Sequence, residues 1–234
     1  SNIVNFADDQ GSGKSLVDCI LDSAGQKGTG KWTTMAGLEL GVPVPTITAA
    51  VDARLISAMK AERVEAAKEY AGPEKTEGLD KEQTIEKVRA ALYASKICSY
   101  AQGFALMRAA SAEYGYGLNY GEIARIWKGG CIIRAVFLDR IRQAYAEKPD
   151  LANLLMALTF KQDIEKRLEA WRWTIQLAVD YGIAVPAMSA SIAYFDNYRR
   201  EQIPANLIQA QRDFFGAHTY ERVDREGIFH TQWY

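Results

Sequence analysis

From Asp80 to Glu113 the apolar residues Ile85, Val88, Leu92, Ile97, Ala101, Phe104 and Ala105 recur mostly at steps of three to five. That spacing predicts one long helix buried along a single stripe. A second run spans Lys161 to Gln202 and carries Ile164, Leu168, Trp171, Ile175, Val179, Ile183, Met188, Ile192 and Phe195 at the same period. Pro186 lies inside it; lacking an amide donor and clashing with the previous turn, it should kink or split the helix. A third helix is expected from Thr46 to Tyr70. Shorter ones fit Leu16–Asp22, Gly30–Leu40, Asn119–Ile126, Ile133–Ala146 and Pro204–Phe215. Strict alternation is nearly absent, and breakers cluster at Gly41–Pro45, Gly72–Gly78 and Gly129–Gly130. The fold class is therefore all-α: a large multi-helix domain with two long helices, placed at residues 1–216. From Ala217 to Tyr234 helical period is lost, and aromatics, charges and both histidines mix. These residues, 217–234, read as an extended tail that needs a docking surface. Burying Tyr220, Phe229 and Trp233 among a partner's helices would make a homodimer by tail exchange.

Composition narrows the function classes. The chain has 234 residues, 48% of them hydrophobic, enough for one large domain or two small ones. Lys and Arg number 28 against 29 Asp and Glu, for a formal charge of −1. Nothing global draws such a chain to nucleic acid or to a membrane surface. No apolar run suits a bilayer and no leader opens the sequence, so a cytoplasmic location is expected. Cys19, Cys98 and Cys131 show no metal-ligand spacing with each other or with the histidines, and read as reduced core thiols. His218 and His230 stand far apart on an irregular segment, which disfavours a zinc pair and leaves the metal expectation at none.

Two stretches imitate phosphate loops. Gly13-Lys14-Ser15 ends like one, but Asp8 occupies the first glycine position and would repel phosphate. Gly25-Gln-Lys-Gly-Thr-Gly30-Lys31 has glycine spacing, but Trp32 replaces the magnesium-binding hydroxyl. Neither follows the hydrophobic strand a nucleotide loop requires. The second stretch still sets Lys27, Thr29 and Lys31 among flexible glycines ahead of a helix start. Free amides and the positive end of the helix dipole would favour an anion there. A glycine-rich capping turn with solvated lysines fits the local chemistry equally well.

Ile20-Leu-Asp-Ser-Ala-Gly-Gln-Lys-Gly-Thr-Gly-Lys-Trp32 meets every specified position of a known pattern: aliphatic, any, Asp, two residues, small, Gln/Asn/Ser, Lys-Gly-Thr-Gly, any, Trp. It resembles the 6-phosphogluconate dehydrogenases. Ala53-Arg54, Lys60–Val64, Ala91–Lys96, Ser99–Phe104, Leu118–Gly121, Trp127–Arg134, Gln211–Glu221 and Gly227–Trp233 agree with the family in order. The resemblance implies a parent enzyme that oxidises 6-phosphogluconate at C3 with NADP. It then releases carbon dioxide to give ribulose 5-phosphate, in the pentose phosphate pathway and gluconate use. It also implies a Rossmann domain ahead of the helical domain and a tail passing into the partner of a homodimer. Lys27 and Thr29 fall on the family's phosphate-binding Lys-Gly-Thr, and Arg54 on the arginine binding the same phosphate. Arg212 and His218 fall on residues supplied from the other subunit. Arginine suits the task because its planar fork can hold two phosphate oxygens.

The same resemblance says what to expect elsewhere. The family's dinucleotide fingerprint is not found in this sequence, and the residues before Lys27 resemble no helix carrying its catalytic lysine and glutamate. The expectation is a chain starting partway into the helical domain. It should hold no catalytic residue, bind no NADP itself and be inactive alone. A non-catalytic helical dimerisation module is the alternative. A β-hydroxyacid dehydrogenase for a smaller acid fits less well, since such an acid has no use for Lys27, Arg54 and Arg212 together. Of the remaining candidates, His230 is expected to pack without a partner, and Lys60, Glu62 and Arg63 to form a solvated face. Glu82, Glu86, Lys87 and Arg89 should form an exposed face with i,i+4 pairs. The tryptophans and the Tyr194–Tyr198 aromatics should pack in the core or a dimer interface.

Overall fold

A computed structural model of the chain describes residues 2–73, 78–130, 133 and 135–234. Residues 74–77 of the expected Gly72–Gly78 breaker, Arg134 of the expected Ile133–Ala146 helix and Cys131 lie outside that set. Helices run in the order α1 (Asn2–Asn5), α2 (Leu16–Cys19), α3 (Thr29–Glu39), α4 (Pro45–Ala58), α5 (Lys60–Glu69), α6 (Lys81–Tyr114), α7 (Tyr120–Gly130) and α8 (Phe137–Glu147). A 3-10 turn at Leu154–Met156 leads to α9 (Leu158–Glu165), α10 (Leu168–Asp180), α11 (Pro186–Tyr198) and α12 (Ala205–Gly216). The chain ends in a small antiparallel hairpin of β1 (Tyr220–Glu221) and β2 (Ile228–Phe229), with Tyr220 opposite Phe229. Among the described residues the fold is all-α apart from this hairpin and an isolated bridge between Ala7 and Ser15. Two compact units form, one ending at Tyr194 and one spanning Phe195–Tyr234.

In the first unit α6 is the central element. Asp80 caps it, accepting the Gln83 amide at 2.8 Å, and Gly115 ends it at φ 67°. Both ends follow from sequence, since an aspartate cap and a left-handed glycine are ordinary helix boundaries. Ala91, Ala94, Ile97, Cys98, Ala101 and Phe104 are buried on α6. Around them close Leu138 and Ile141 of α8, Leu154, Phe160 and Ile164, and Trp171 of α10. Each large side chain removed from water contributes about 1.5–3 kcal/mol. The front of the expected stripe behaves differently: Ile85, Val88 and Leu92 are exposed in this chain.

The second long helix is not formed; its run is divided into α9, α10 and α11. Gly182, at φ 61°, ends α10, with its amide on Val179 O and that of Ile183 on Ala178 O. This pair of bonds is a standard helix stop around a left-handed glycine. Pro186 then opens α11, where a missing amide costs nothing. The expected Thr46–Tyr70 helix is likewise two helices, broken at Met59 (ψ 42°). No proline or glycine lies at that break. Instead the Arg63 guanidinium takes the Ser57 carbonyl at 3.1 Å, a group left without its helical partner.

Candidate phosphate-binding elements

The segment before α3 is held along one face of α4 and α5. Arg54, Ser57, Lys60 and Arg63 recur every third residue and so line one side. Asp22 meets two of them: Oδ1 accepts from Lys60 Nζ at 2.6 Å, and Oδ2 from Arg63 Nη1 at 3.1 Å. Arg63 Nη2 also donates to the Asp22 carbonyl at 3.0 Å. The Ala24 amide donates to Ser57 Oγ at 3.0 Å. Arg54 grips the Gly25 carbonyl through Nε at 2.9 Å and through Nη2. Hydrogen bonds from Lys60, and then from Arg63, lower the Asp22 carboxyl to about 2. Lys60 and Arg63 are therefore not a solvated face; they tie down the loop. Asp22 belongs to the sequence pattern, yet only the fold shows what it holds.

Beyond Gly25 the loop turns into the helix. Gly28 adopts φ 104°, a conformation that penalises any side chain, and stands at the N-cap of α3. No side chain caps this end, so the first-turn amides beside Thr29 remain available to an anion. Gly30 serves packing instead: a Cβ there would lie 2.6 Å from Val51 Cγ2 of α4. Lys27 and Thr29 are exposed at this helix start, beside a carbonyl held by Arg54. Lys27 and Thr29 thus lie on the loop and helix start that follow Gly25, whose carbonyl Arg54 of α4 holds.

The second unit assembles the other two residues. Arg212 on α12 and His218 just after it line one open groove of ≈ 730 Å³, with Asn206, Thr219 and Glu221. The chain reverses sharply there, because Ala217 (φ 50°) and Thr219 (φ 66°) are both left-handed. Such residues cost roughly 1–2 kcal/mol each without glycine's freedom. Gly216 leaves room for the reversal, since a Cβ on it would sit 3.0 Å from the His218 ring.

Asp213 holds this end together and was not apparent from sequence. It is 1% exposed. Its Oδ1 accepts the Thr219 amide at 3.0 Å and His230 Nδ1 at 2.9 Å; its Oδ2 accepts the Thr231 amide at 3.1 Å and Trp233 Nε1 at 2.9 Å. Burial alone would raise its carboxyl. The bonds from His230, Thr231, Trp233 and Thr219 outweigh burial and hold it well below the usual carboxylate range. A carboxylate can only accept, so His230 carries its proton on Nδ1. His230 therefore has a specific partner, contrary to the sequence expectation. The tail is not merely extended: it returns as a hairpin onto α12, and Trp233 meets Phe214 edge-on at 6.0 Å.

Other expectations resolve more simply. Cys98 is buried, but Cys19 is exposed and is no core thiol. Arg89 pairs with Glu86 at i,i+3 rather than i,i+4, and Lys87 lies over the Trp173 ring at 4.1 Å.

The family model for the 6-phosphogluconate dehydrogenase C-terminal domain matches residues 1–233. The chain belongs to this family. It is 59% identical over 235 residues to 6-phosphogluconate dehydrogenase, decarboxylating 1, of Oryza sativa subsp. japonica, covering 100% of this chain and 49% of the relative. It is 60% identical over 226 residues to the NADP(+)-dependent, decarboxylating 6-phosphogluconate dehydrogenase of Bacillus subtilis strain 168, covering 96% and 48%. The chain spans about half the length of the curated relatives it matches. A solved 6-phosphogluconate dehydrogenase from Plasmodium falciparum, studied in its apo form and in complex with NADP+ and with 6-phosphogluconate, superposes with TM-score 0.92 at 47% identity. It covers 99% of this chain and 50% of that one.

Proposed function

We propose that this chain supplies the phosphate-binding and dimer-forming part of an NADP-dependent, decarboxylating 6-phosphogluconate dehydrogenase. In this reading Lys27, Thr29, Arg54 and the first amides of α3 receive the substrate phosphate from one protomer. Arg212 and His218 reach it from the partner, carried by α12 and the start of the tail in a two-fold dimer. The parent reaction takes 6-phosphogluconate to ribulose 5-phosphate in the pentose phosphate pathway, in the cytoplasm. Among the described residues no helix is long and apolar enough to cross a membrane.

The observation that carries the reading is the uncapped start of α3 at Gly28, beside Lys27 and a loop clamped by Arg54. Free amides and the positive end of a helix dipole favour an anion there, and Lys27 and Arg54 supply the charge that a doubly charged ester requires. The described residues form no parallel strand, loop and helix of the kind that cradles a dinucleotide. What these residues do is bind and orient: they fix one end of the sugar acid, which sets the position of the reacting carbon.

Calorimetric titration with 6-phosphogluconate and with gluconate tests this. The phosphorylated acid should bind and gluconate should not, and Arg54→Ala or Arg212→Ala should weaken binding about tenfold or more. Equal binding of both acids would instead support a helical dimerisation module without a phosphate site.

A further inference from the structure

We propose that Asp213 is a positioning residue for the phosphate site, acting through His218 by holding the reversed turn that aims the imidazole into the groove with Arg212. The proposal deepens the reading above and rests on it. Arg212 and Asp213 are successive residues of α12, yet they have opposite fates. The arginine lines the groove, and the carboxylate is buried. His218 sits between two left-handed residues, Ala217 and Thr219, neither of them glycine. A turn of that shape persists only when something outside it fixes both sides. On one side the Ala217 amide bonds to the Asp213 carbonyl at 2.8 Å; on the other the Thr219 amide bonds to Asp213 Oδ1 at 3.0 Å. One residue thus clamps both flanks of His218 with its backbone and side-chain oxygens.

The remaining bonds show why a carboxylate is needed. Four donors converge on the two oxygens, from Thr219, His230, Thr231 and Trp233. Asparagine has the same shape but would turn an NH₂ group toward one pair of these donors. If it faces Thr231 and Trp233, both lose their acceptor. If it faces Thr219 and His230, the imidazole can change tautomer and accept, but the Thr219 amide cannot. The second orientation strands one donor where the first strands two, so Asp213→Asn releases the Thr219 side of the turn.

The test is a double-mutant cycle on the full 234-residue chain, read by calorimetry with 6-phosphogluconate. Asp213→Asn should weaken binding about tenfold, matching His218→Ala, and should add nothing in a His218→Ala background. Equal weakening in both backgrounds would mean general loosening of the fold, and would overturn the proposal. Native affinity for Asp213→Asn, with His218→Ala impaired, would overturn it while leaving the phosphate reading intact. Unchanged binding in Arg212→Ala, His218→Ala and Asp213→Asn alike would remove the reading and the proposal together. His230→Ala gives a second arm that keeps the Thr219 bond. It should bind almost as the native chain does, and a loss equal to that of Asp213→Asn would reduce Asp213 to a tail anchor. Without ligand, Asp213→Asn should speed hydrogen exchange at the Thr219 amide and leave the middle of α12 protected; unchanged exchange at Thr219 would contradict the clamp.

Discussion

The Asp22 carboxylate and the Lys60 ammonium stand 2.6 Å apart, fastening the loop before α3 to the first turn of α5. The Arg63 guanidinium completes the clasp at 3.1 Å. Arg54 holds the same loop further on, at the Gly25 carbonyl. Asp22→Ala should leave helical content unchanged by circular dichroism and weaken 6-phosphogluconate binding. A native dissociation constant in this variant would show that the clasp is dispensable.

The clasp has a definite pH window. The Asp22 carboxyl lies at about 2 in the folded chain, against an ordinary value of 3.8. Its folded value is the lower one, so its contribution is complete above the ordinary value and is lost as pH falls through about 2. A carboxyl-carbon NMR titration should place the Asp22 midpoint near that lower value. A midpoint at the ordinary value would mean the ion pair is absent in solution.

Gly28 and Gly30 should fail for different reasons. Gly28→Ala forces a side chain into φ 104°. Gly30→Ala drives a methyl to 2.6 Å from Val51 Cγ2. Overpacking of that kind costs about 1–3 kcal/mol and should lower Tm by several degrees. Adding Val51→Ala should restore much of the loss for Gly30→Ala and none for Gly28→Ala. Equal rescue of both would contradict this division of labour.

The cysteines should differ in reactivity. Burial pushes the Cys98 thiol up to about 12, whereas Cys19 is exposed. At neutral pH iodoacetamide should label Cys19 quickly and leave Cys98 unmodified until the chain unfolds. Mass mapping of both peptides reads the result, and comparable native rates would contradict the packing of α6.

Much of the fold was legible because its signals are local. Asp80 and Gly115 bracket α6, and Pro186 divides the second apolar run as its chemistry requires. The stop at Gly182 is marked only by an isolated glycine, and Val179 and Ile183 carry the apolar period straight across it. The break at Met59 carries no local mark; it follows from Arg63 reaching Ser57 and Asp22, residues distant or unremarkable in sequence. Lys27, Thr29 and Arg54 could be named because a dense pattern surrounds them. Asp213 could not, since its partners Thr219, His230, Thr231 and Trp233 lie in an aperiodic tail whose hairpin only the fold reveals. The exposure of Ile85, Val88 and Leu92 also escaped a periodicity argument, which finds a stripe but not what covers it.

Arg54 offers a test of geometry against charge. It holds the Gly25 carbonyl with two nitrogens of its fork, which lysine cannot reproduce. Arg54→Lys should therefore lose most of the affinity lost by Arg54→Ala, despite its retained charge. Binding to the native chain should also weaken as salt is raised.

Subunit complementation addresses the shared phosphate site most directly. Arg54→Ala and Arg212→Ala chains should each bind 6-phosphogluconate poorly alone. After unfolding together and refolding as a mixture, about a quarter of the sites should regain native affinity, because half the dimers pair an intact Arg54 with an intact Arg212. A mixture that binds no better than either parent would contradict a site built from two protomers.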